Sequence, residues 1–104
     1  MRVLIKDVVF ERVDAFYMKA IDLHPALDVR VVLAKEQRLY SALKSLGSTY
    51  FLYSPPRYIR KWQEAGYLDF ICEDFHFAFC ITELPDGEVI ISVEDARHSL
   101  LFHD

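Results

Sequence analysis

The stretch DFHFAFC, residues 74–80, places a histidine among phenylalanines that recur at every second position. Side chains alternate between two faces along a β-strand, so Phe75, Phe77 and Phe79 share one face and His76 lies on the other. An imidazole titrates near neutral pH and can take up or release a proton during catalysis. The spacing therefore predicts a strand with an aromatic core face and with His76 opposite, either as a catalytic residue or as a hydrogen-bonded bystander.

A second candidate group lies near the C-terminus, where Arg97 and His98 are adjacent. Neighbouring side chains of an extended segment lie on opposite sides, so only one of the two can share the sheet face of His76. Counting alternate residues along the last predicted strand favours His98. In any catalytic site we expect His98 or His76 to transfer protons. The phosphate would be held by Arg97, Arg57 or Arg60.

A third group combines cations with aromatic rings: Arg57, Arg60 and Lys61 lie beside Tyr58 and Trp62. This combination is typical of surfaces that contact phosphates and stack the bases of a single strand. A solvated helix face with Trp62 in the core has the same composition and is the more common arrangement. The sequence leaves both interpretations open.

Histidine and cysteine spacing shows no metal-binding pattern. Neither C-x-x-C nor H-x-x-x-H occurs, and the four histidines are His24, His76, His98 and His103. Cys72 and Cys80 fall on opposite faces of a predicted hairpin, which favours free thiols over a disulfide. No metal or other cofactor is expected.

Composition limits the class of protein. A chain of 104 residues with 53% apolar residues, three glycines and four prolines is long enough for one domain with a buried core. The formal charge of −4 argues against a generally basic, nucleic-acid-binding surface, although a local basic patch stays open. No apolar run approaches the roughly 20 residues of a membrane span, so we expect a cytoplasmic protein without a membrane partner.

The N-terminal half reads as one strand and two helices. Residues 1–6 alternate as a strand, Asp7 stands at an N-cap position, and apolar residues spaced by three and four predict a helix over residues 8–23, ended before Pro25. A second helix is predicted from an N-cap at Asp28 to a left-handed stop at Gly47. The two helices should form an antiparallel hairpin, and each needs a sheet against which to bury its apolar stripe.

The segment that follows is rich in aromatic residues. Ser54 as N-cap, Pro55 in the first turn and Gly66 as the stop predict one short helix, whose inward side chains would be Ile59 and Trp62. This helix would connect the helical hairpin to the C-terminal strands.

The C-terminal part reads as an antiparallel meander with strands over residues 67–72, 75–84 and 88–94. Tight turns are predicted at Glu73-Asp74 and at Pro85-Asp86-Gly87. This pairing gives one nearly continuous apolar face, made of Leu68, Phe70, Cys72, Phe75, Phe77, Phe79, Ile81, Val89, Ile91 and Val93. The opposite face is mixed, which indicates that the C-terminal tail or a partner covers part of it.

A strand, a helical hairpin and a meander, with LYSALKSLG, EDFHFAFCI and ISVEDARHSLLF at successive positions, resemble the RelE/ParE superfamily of bacterial toxin–antitoxin toxins. The resemblance implies an α+β fold in which an N-terminal strand precedes an antiparallel two-helix hairpin packed on one face of an antiparallel β-meander. It implies a single domain over residues 1–104.

The resemblance also implies a site. Members that cleave messenger RNA on the ribosome use the open sheet face, with arginines, often a histidine and a C-terminal tyrosine, whereas ParE members act on DNA gyrase. His76 falls where the family strand often has an arginine, and Arg97 and His98 fall near its His/Arg element. Phe102 falls near the terminal tyrosine but has no hydroxyl group.

Two functional hypotheses follow. The first is a toxin that cleaves RNA, with the ribosome and messenger RNA as partners. The second is a noncatalytic toxin-fold module that binds another protein, and Asp69 and Glu94 on the mixed face favour it because they repel phosphate. Either version implies an antitoxin protein as partner, and a homodimer stays open.

Overall fold

The computed structural model describes residues 2–101, and it shows an α+β protein with a four-stranded mixed sheet. The strands are β1 Arg2–Ile5, β2 Leu68–Cys72, β3 Phe75–Glu83 and β4 Val89–His98. The helices are α1 Asp7–Leu23, α2 Val29–Lys44, α3 Leu46–Thr49 and α4 Arg60–Glu64, with 3-10 turns at Tyr50–Leu52 and Ser99–Leu101. None of these helices, all within residues 2–101, is long and apolar enough to cross a membrane. Phe102, matched to the family's terminal tyrosine, and the fourth histidine, His103, fall outside the described residues.

The sheet has the order β1-β4-β3-β2. β2, β3 and β4 form the predicted antiparallel meander, and β1 pairs in parallel with β4 at the other edge. Glu73 and Asp74 both have positive φ, 50° and 65°, as a two-residue type I′ turn requires. This turn sets Phe70 opposite Phe77.

The two long helices cover one face of the sheet. The apolar stripe of α1 buries Val9, Val13 and Tyr17, and that of α2 buries Val32, Leu39 and Leu43. The sheet contributes Phe70, Phe75, Phe77, Phe79, Ile91, Val93 and Ala96 to the same core. The ring centroids of Phe10, near the start of α1, and Tyr40, near the end of α2, lie 5.1 Å apart, so the helices are antiparallel as predicted.

The helix ends only partly follow the sequence signals. Asp28 caps α2, because its Oδ1 accepts a hydrogen bond from the backbone N–H of Arg30 at 2.9 Å. Asp7 does not cap α1: it is the first helical residue, and Lys6 occupies the N-cap position. An acidic residue in the first turn still interacts favourably with the helix dipole.

The prediction for Gly47 was wrong. α2 ends at Lys44, and the chain continues through Ser45 into α3, which contains Gly47 in a helical conformation. The Ser45 hydroxyl donates to the carbonyl of Ala42 at 2.7 Å, and the Ser45 carbonyl accepts from Ser48 N–H at 3.0 Å. Leu46, the first residue of α3, is completely buried.

The helix predicted from Ser54 begins later. Ser54 and Pro55 lie in an extended segment, and α4 begins at Arg60 after Ile59 as N-cap. The Ser54 carbonyl accepts a hydrogen bond from Asp69 N–H at 3.0 Å, so the segment lies against β2 and not in a helix. Gly66, with φ of +76°, ends α4 as predicted.

The mixed face of the sheet is partly covered by this connecting segment. Ile59 and Trp62 pack on Ala78, and together they form a second, smaller core on the side opposite the helical hairpin. The indole N–H of Trp62 donates to Asp95 Oδ2 at 3.1 Å. Hereafter this side of the sheet is called the outer face.

Candidate functional site

A one-residue irregularity in β4 decides which C-terminal side chain reaches the outer face. Phe79 pairs with Val93 and Ala78 with Asp95, so Glu94 is an extra residue that forms a β-bulge. The bulge shifts the alternation of all residues that follow it. As a result, Ala96 faces the helices and Arg97 pairs across the strands with His76.

The prediction that His98 shares the outer face with His76 was therefore wrong. The His98 ring stacks on Phe16 of α1, with centroids 3.9 Å apart and planes 13° apart, and meets the edge of Phe75. Its Nδ1 accepts a hydrogen bond from the backbone N–H of Leu100 at 3.2 Å, which assigns the ring proton to Nε2. Burial lowers the pKa of His98, and Lys35 and His76 lower it further against the opposing charge of Asp74.

His76 is held by a carboxylate. Its Nδ1 lies 2.8 Å from Asp69 Oδ2, and the two side chains are only 13% and 10% exposed. The second oxygen of Asp69, Oδ1, is buried and has no hydrogen-bond partner among the described residues. Burial raises the pKa of Asp69, and the hydrogen bond with His76 opposes that rise. When Nδ1–H is donated to Asp69, Nε2 is the basic atom of the ring.

The His76 cleft is the depression that contains this pair. It measures about 230 Å³, and β2 and β3 form its floor with Asp69, Ile71 and His76. The connecting segment forms its wall with Leu52, Tyr53, Ser54, Pro55, Arg57 and Tyr58. Tyr53 is fixed at the sheet edge, since its ring packs edge-on against Phe70 at 5.0 Å.

The predicted basic residues separate into two groups. Arg57 lines the His76 cleft, so the structure brings it together with His76. Arg60 and Lys61 lie on the exposed side of α4 and do not line the cleft. Trp62 takes the core position that the alternative interpretation of this segment gave it.

The other outer-face carboxylates are paired with cations. Glu94 forms an ion pair with Lys6 and accepts a hydrogen bond from the Cys80 thiol at 3.4 Å. Burial opposes the ionisation of Glu94, but Lys6, Ser92 and Cys80 together hold its pKa below the ordinary value. Asp95 pairs with Arg12 at 3.0 Å. The repulsion of phosphate expected from Glu94 is therefore largely compensated.

Cys72 and Cys80 are free thiols, as predicted, and both are half-buried. Burial raises the pKa of each thiol, which makes the nucleophilic thiolate less available. Within residues 2–101, no three His, Cys, Asp or Glu side chains converge in a way that could hold a metal ion. The chemistry that the arrangement offers is therefore that of an oriented imidazole with arginines nearby.

The position of Asp69 beside His76 could have been predicted from the sequence. A two-residue turn at 73–74 pairs Ile71 with His76, so Asp69 is the diagonal neighbour of His76 on the same face. Tyr53 and Tyr58 had no such signal, because only the folded connecting segment brings them to the cleft. Comparison of the chain with protein-family models, with curated proteins and with solved structures finds no match.

Proposed function

We propose that this protein is the toxin of a bacterial toxin–antitoxin pair and that it cleaves single-stranded RNA at the His76 cleft. The observation that carries the proposal is the His76–Asp69 pair at 2.8 Å in the cleft floor. A carboxylate that fixes the tautomer and orientation of an imidazole is the usual support of a histidine base. Arg97 in cross-strand register with His76, and Arg57 in the cleft wall, add cations where a phosphate would bind.

The proposed reaction needs only groups of the cleft and of the substrate. His76 Nε2 takes the proton of a ribose 2′-hydroxyl while the 2′-oxygen attacks the neighbouring phosphorus. The bond from phosphorus to the 5′-oxygen breaks, and Tyr53 and Tyr58 supply phenolic hydroxyls from which the leaving oxygen takes a proton. Arg57 and Arg97 offset the charge that develops on the phosphoryl oxygens. The products are a 2′,3′-cyclic phosphate and a 5′-hydroxyl end.

The fold supports the toxin assignment. The order of a strand, two long helices and an antiparallel meander agrees with the order in the superfamily that the sequence resembles. The outer face, which is the working face in that superfamily, carries the His76 cleft, and Ile59 and Trp62 pack on Ala78 of the same face. This assignment implies messenger RNA on the ribosome as the substrate and an antitoxin as the protein partner.

One observation favours a second candidate, a noncatalytic module that binds another protein. Three apolar side chains at the cleft, Leu52, Tyr58 and Ile71, are 67%, 72% and 57% exposed. Exposed apolar groups around a depression are typical of protein–protein contacts. An antitoxin or a cellular target protein could use this rim without any RNA chemistry, and so could a second copy of the chain in a homodimer.

The test is RNA cleavage by the purified protein in a buffer containing EDTA. We expect single-stranded RNA to be cut to 2′,3′-cyclic phosphate and 5′-hydroxyl ends. His76→Ala should lower the rate by about 10²- to 10⁴-fold, the usual contribution of a general base. Lys44→Gln serves as the control, because Lys44 is exposed at the end of α2, outside the His76 cleft, and this variant should cut at the wild-type rate.

Expression of the chain alone in a bacterium separates the candidates. Growth arrest with cut messenger RNA in wild type, and intact RNA with His76→Ala, would support the nuclease. Growth arrest with intact RNA would reject the nuclease and support a protein target. Normal growth would reject a toxin of either kind.

A further inference from the structure

A second depression of the described structure is a groove between α1 and the end of β4, and Arg97 is the one residue of its lining that the His76 mechanism uses. It measures about 500 Å³. On one side it is lined by residues of α1 from Arg12 to Leu23 and by His24, which follows the helix. On the other side it is lined by Ala96, Arg97 and His98 of β4. Hereafter it is called the α1 groove.

The charge of the α1 groove contrasts with that of the whole chain. The formal net charge is −4, yet among residues 2–101 the groove is lined by two arginines, one lysine and two histidines, and by no carboxylate. Arg12 is partly compensated, since it pairs with Asp95 just outside the lining at 3.0 Å. Lys19 makes no ion pair with any residue in the range 2–101. A groove of this charge fits an anionic ligand.

The floor of the α1 groove is apolar and partly aromatic. Phe16 and His98 form a stacked pair of half-buried rings, with Ala20 and Leu23 beside them. Burial lowers the pKa of His98, so its ring is neutral at neutral pH and behaves as an aromatic surface. A cationic rim over an aromatic floor is the combination by which proteins hold single strands, with phosphates on the cations and bases against the rings.

Arg97 connects the α1 groove to the His76 cleft. It lines the groove, and it is also the cross-strand partner of His76. The end of β4 is fixed in place, because Ser99 donates from its backbone N–H and its hydroxyl to the carbonyl of Asp74, at 2.9 and 2.7 Å. The His76 cleft lies on the outer face and the α1 groove on the α1 side of the same strand end, so a strand whose reacting phosphate lies at His76 would pass Arg97 to reach Lys19.

We infer that the α1 groove holds the nucleotides that adjoin the cleaved bond, so that the substrate is a single RNA strand several nucleotides long. The inference rests on the proposed function for its choice of RNA, and it assigns Lys19 as a phosphate contact. Arg12 and Arg97 line the same groove and provide further positive charge.

The test measures binding without cleavage. The probe is a labelled single strand of about ten nucleotides, within the range that single-strand-binding sites cover. Methylation of every 2′-hydroxyl prevents the attack on phosphorus, and fluorescence anisotropy then reports affinity alone. A methylated dinucleotide, too short to extend from His76 into the groove, is the comparison strand.

Lys19→Gln should weaken binding of the long strand several-fold at low salt. It should also reduce the slope of log affinity against log salt by about 0.7, the value for one phosphate contact on a single strand. Lys19→Arg should retain the wild-type slope. Lys44→Gln is the matched control, because Lys44 is an exposed lysine at the end of α2, outside the groove, and its loss changes net charge equally.

The outcomes separate this inference from the proposed function. Equal affinity and slope for wild type and Lys19→Gln, or an equal loss in Lys44→Gln, would overturn the groove assignment even if unmethylated RNA is cleaved. A Lys19-dependent affinity would support it even if wild type cleaves nothing. If Lys19→Gln binds RNA as well as wild type does but no longer binds an acidic peptide that wild type binds, the groove would be reassigned to a protein partner. That result would also overturn the inference.

Discussion

The two faces of β3 are both shielded from solvent, but by opposite kinds of chemistry. On the helix side, Phe75, Phe77 and Phe79 are at most 1% exposed and contact other apolar groups. On the outer face, His76 and Asp69 are nearly as shielded, yet they are polar, and Asp69 Oδ1 has no partner among the described residues. The first face stabilises the fold, whereas the second holds a polar pair at a cost in stability, as functional sites commonly do.

The largest expected effect comes from the apolar face. Phe77→Ala should lower the free energy of unfolding by about 3–5 kcal/mol, because it removes a fully buried ring and leaves a cavity. Ile71→Ala on the outer face of β2, where the side chain is 57% exposed, should cost no more than about 0.5 kcal/mol. Urea denaturation of the two variants measures the contrast. Equal losses would mean that the outer face carries a core of its own at Ile71.

The second prediction tests whether Asp69 is kept for function. Asp69→Asn should lower RNA cleavage by roughly 10²- to 10⁴-fold, because the amide no longer stabilises an imidazolium at His76. The free energy of unfolding at neutral pH should stay the same or rise. Burial raises the pKa of Asp69, so its ionised form weakens the fold above that pKa, and a neutral amide removes this cost.

Cleavage rates and urea midpoints of the same Asp69→Asn preparation decide the point. A marked loss of stability with unchanged cleavage would make Asp69 a structural partner of His76 and would argue against the proposed mechanism. The His76→Ala variant is the control, since its loss of activity should not be increased further by Asp69→Asn if the two residues act as one unit.

The apolar face could be predicted from the sequence, because alternation is a local property of a strand. Phe75, Phe77 and Phe79 repeat at period two, and the turn at 73–74 fixes their register with β2. Ile81, predicted on the same face, is 40% exposed, and it lies beyond Phe79, the last residue of β3 that pairs with β2. Periodicity gives the face, while the neighbouring elements set where burial stops.

The candidate site could be predicted only in part. His76 lies where alternation places it, but the extra residue at Glu94 reversed the faces expected for Arg97 and His98. A β-bulge without a glycine has no strong local signature, so counting along the chain cannot detect it. The cleft wall was also hidden, because Ser54 and Pro55 mimic a helix start, although tertiary contact with β2 keeps them extended.

The smallest expected effect concerns His98, which the bulge places under α1. Burial lowers its pKa below the ordinary 6.5, so the neutral ring adds stability that is fully present above about pH 6.5 and is lost as the pH falls through the lowered value. His98→Phe keeps the stack on Phe16 and has no ionising group, so its urea midpoint should fall less than that of wild type between pH 7.5 and pH 5. Parallel curves for the two proteins would contradict a neutral, buried His98. A gain of stability in acid by wild type relative to His98→Phe would mean that the folded protein favours the charged ring, and this too would contradict the prediction.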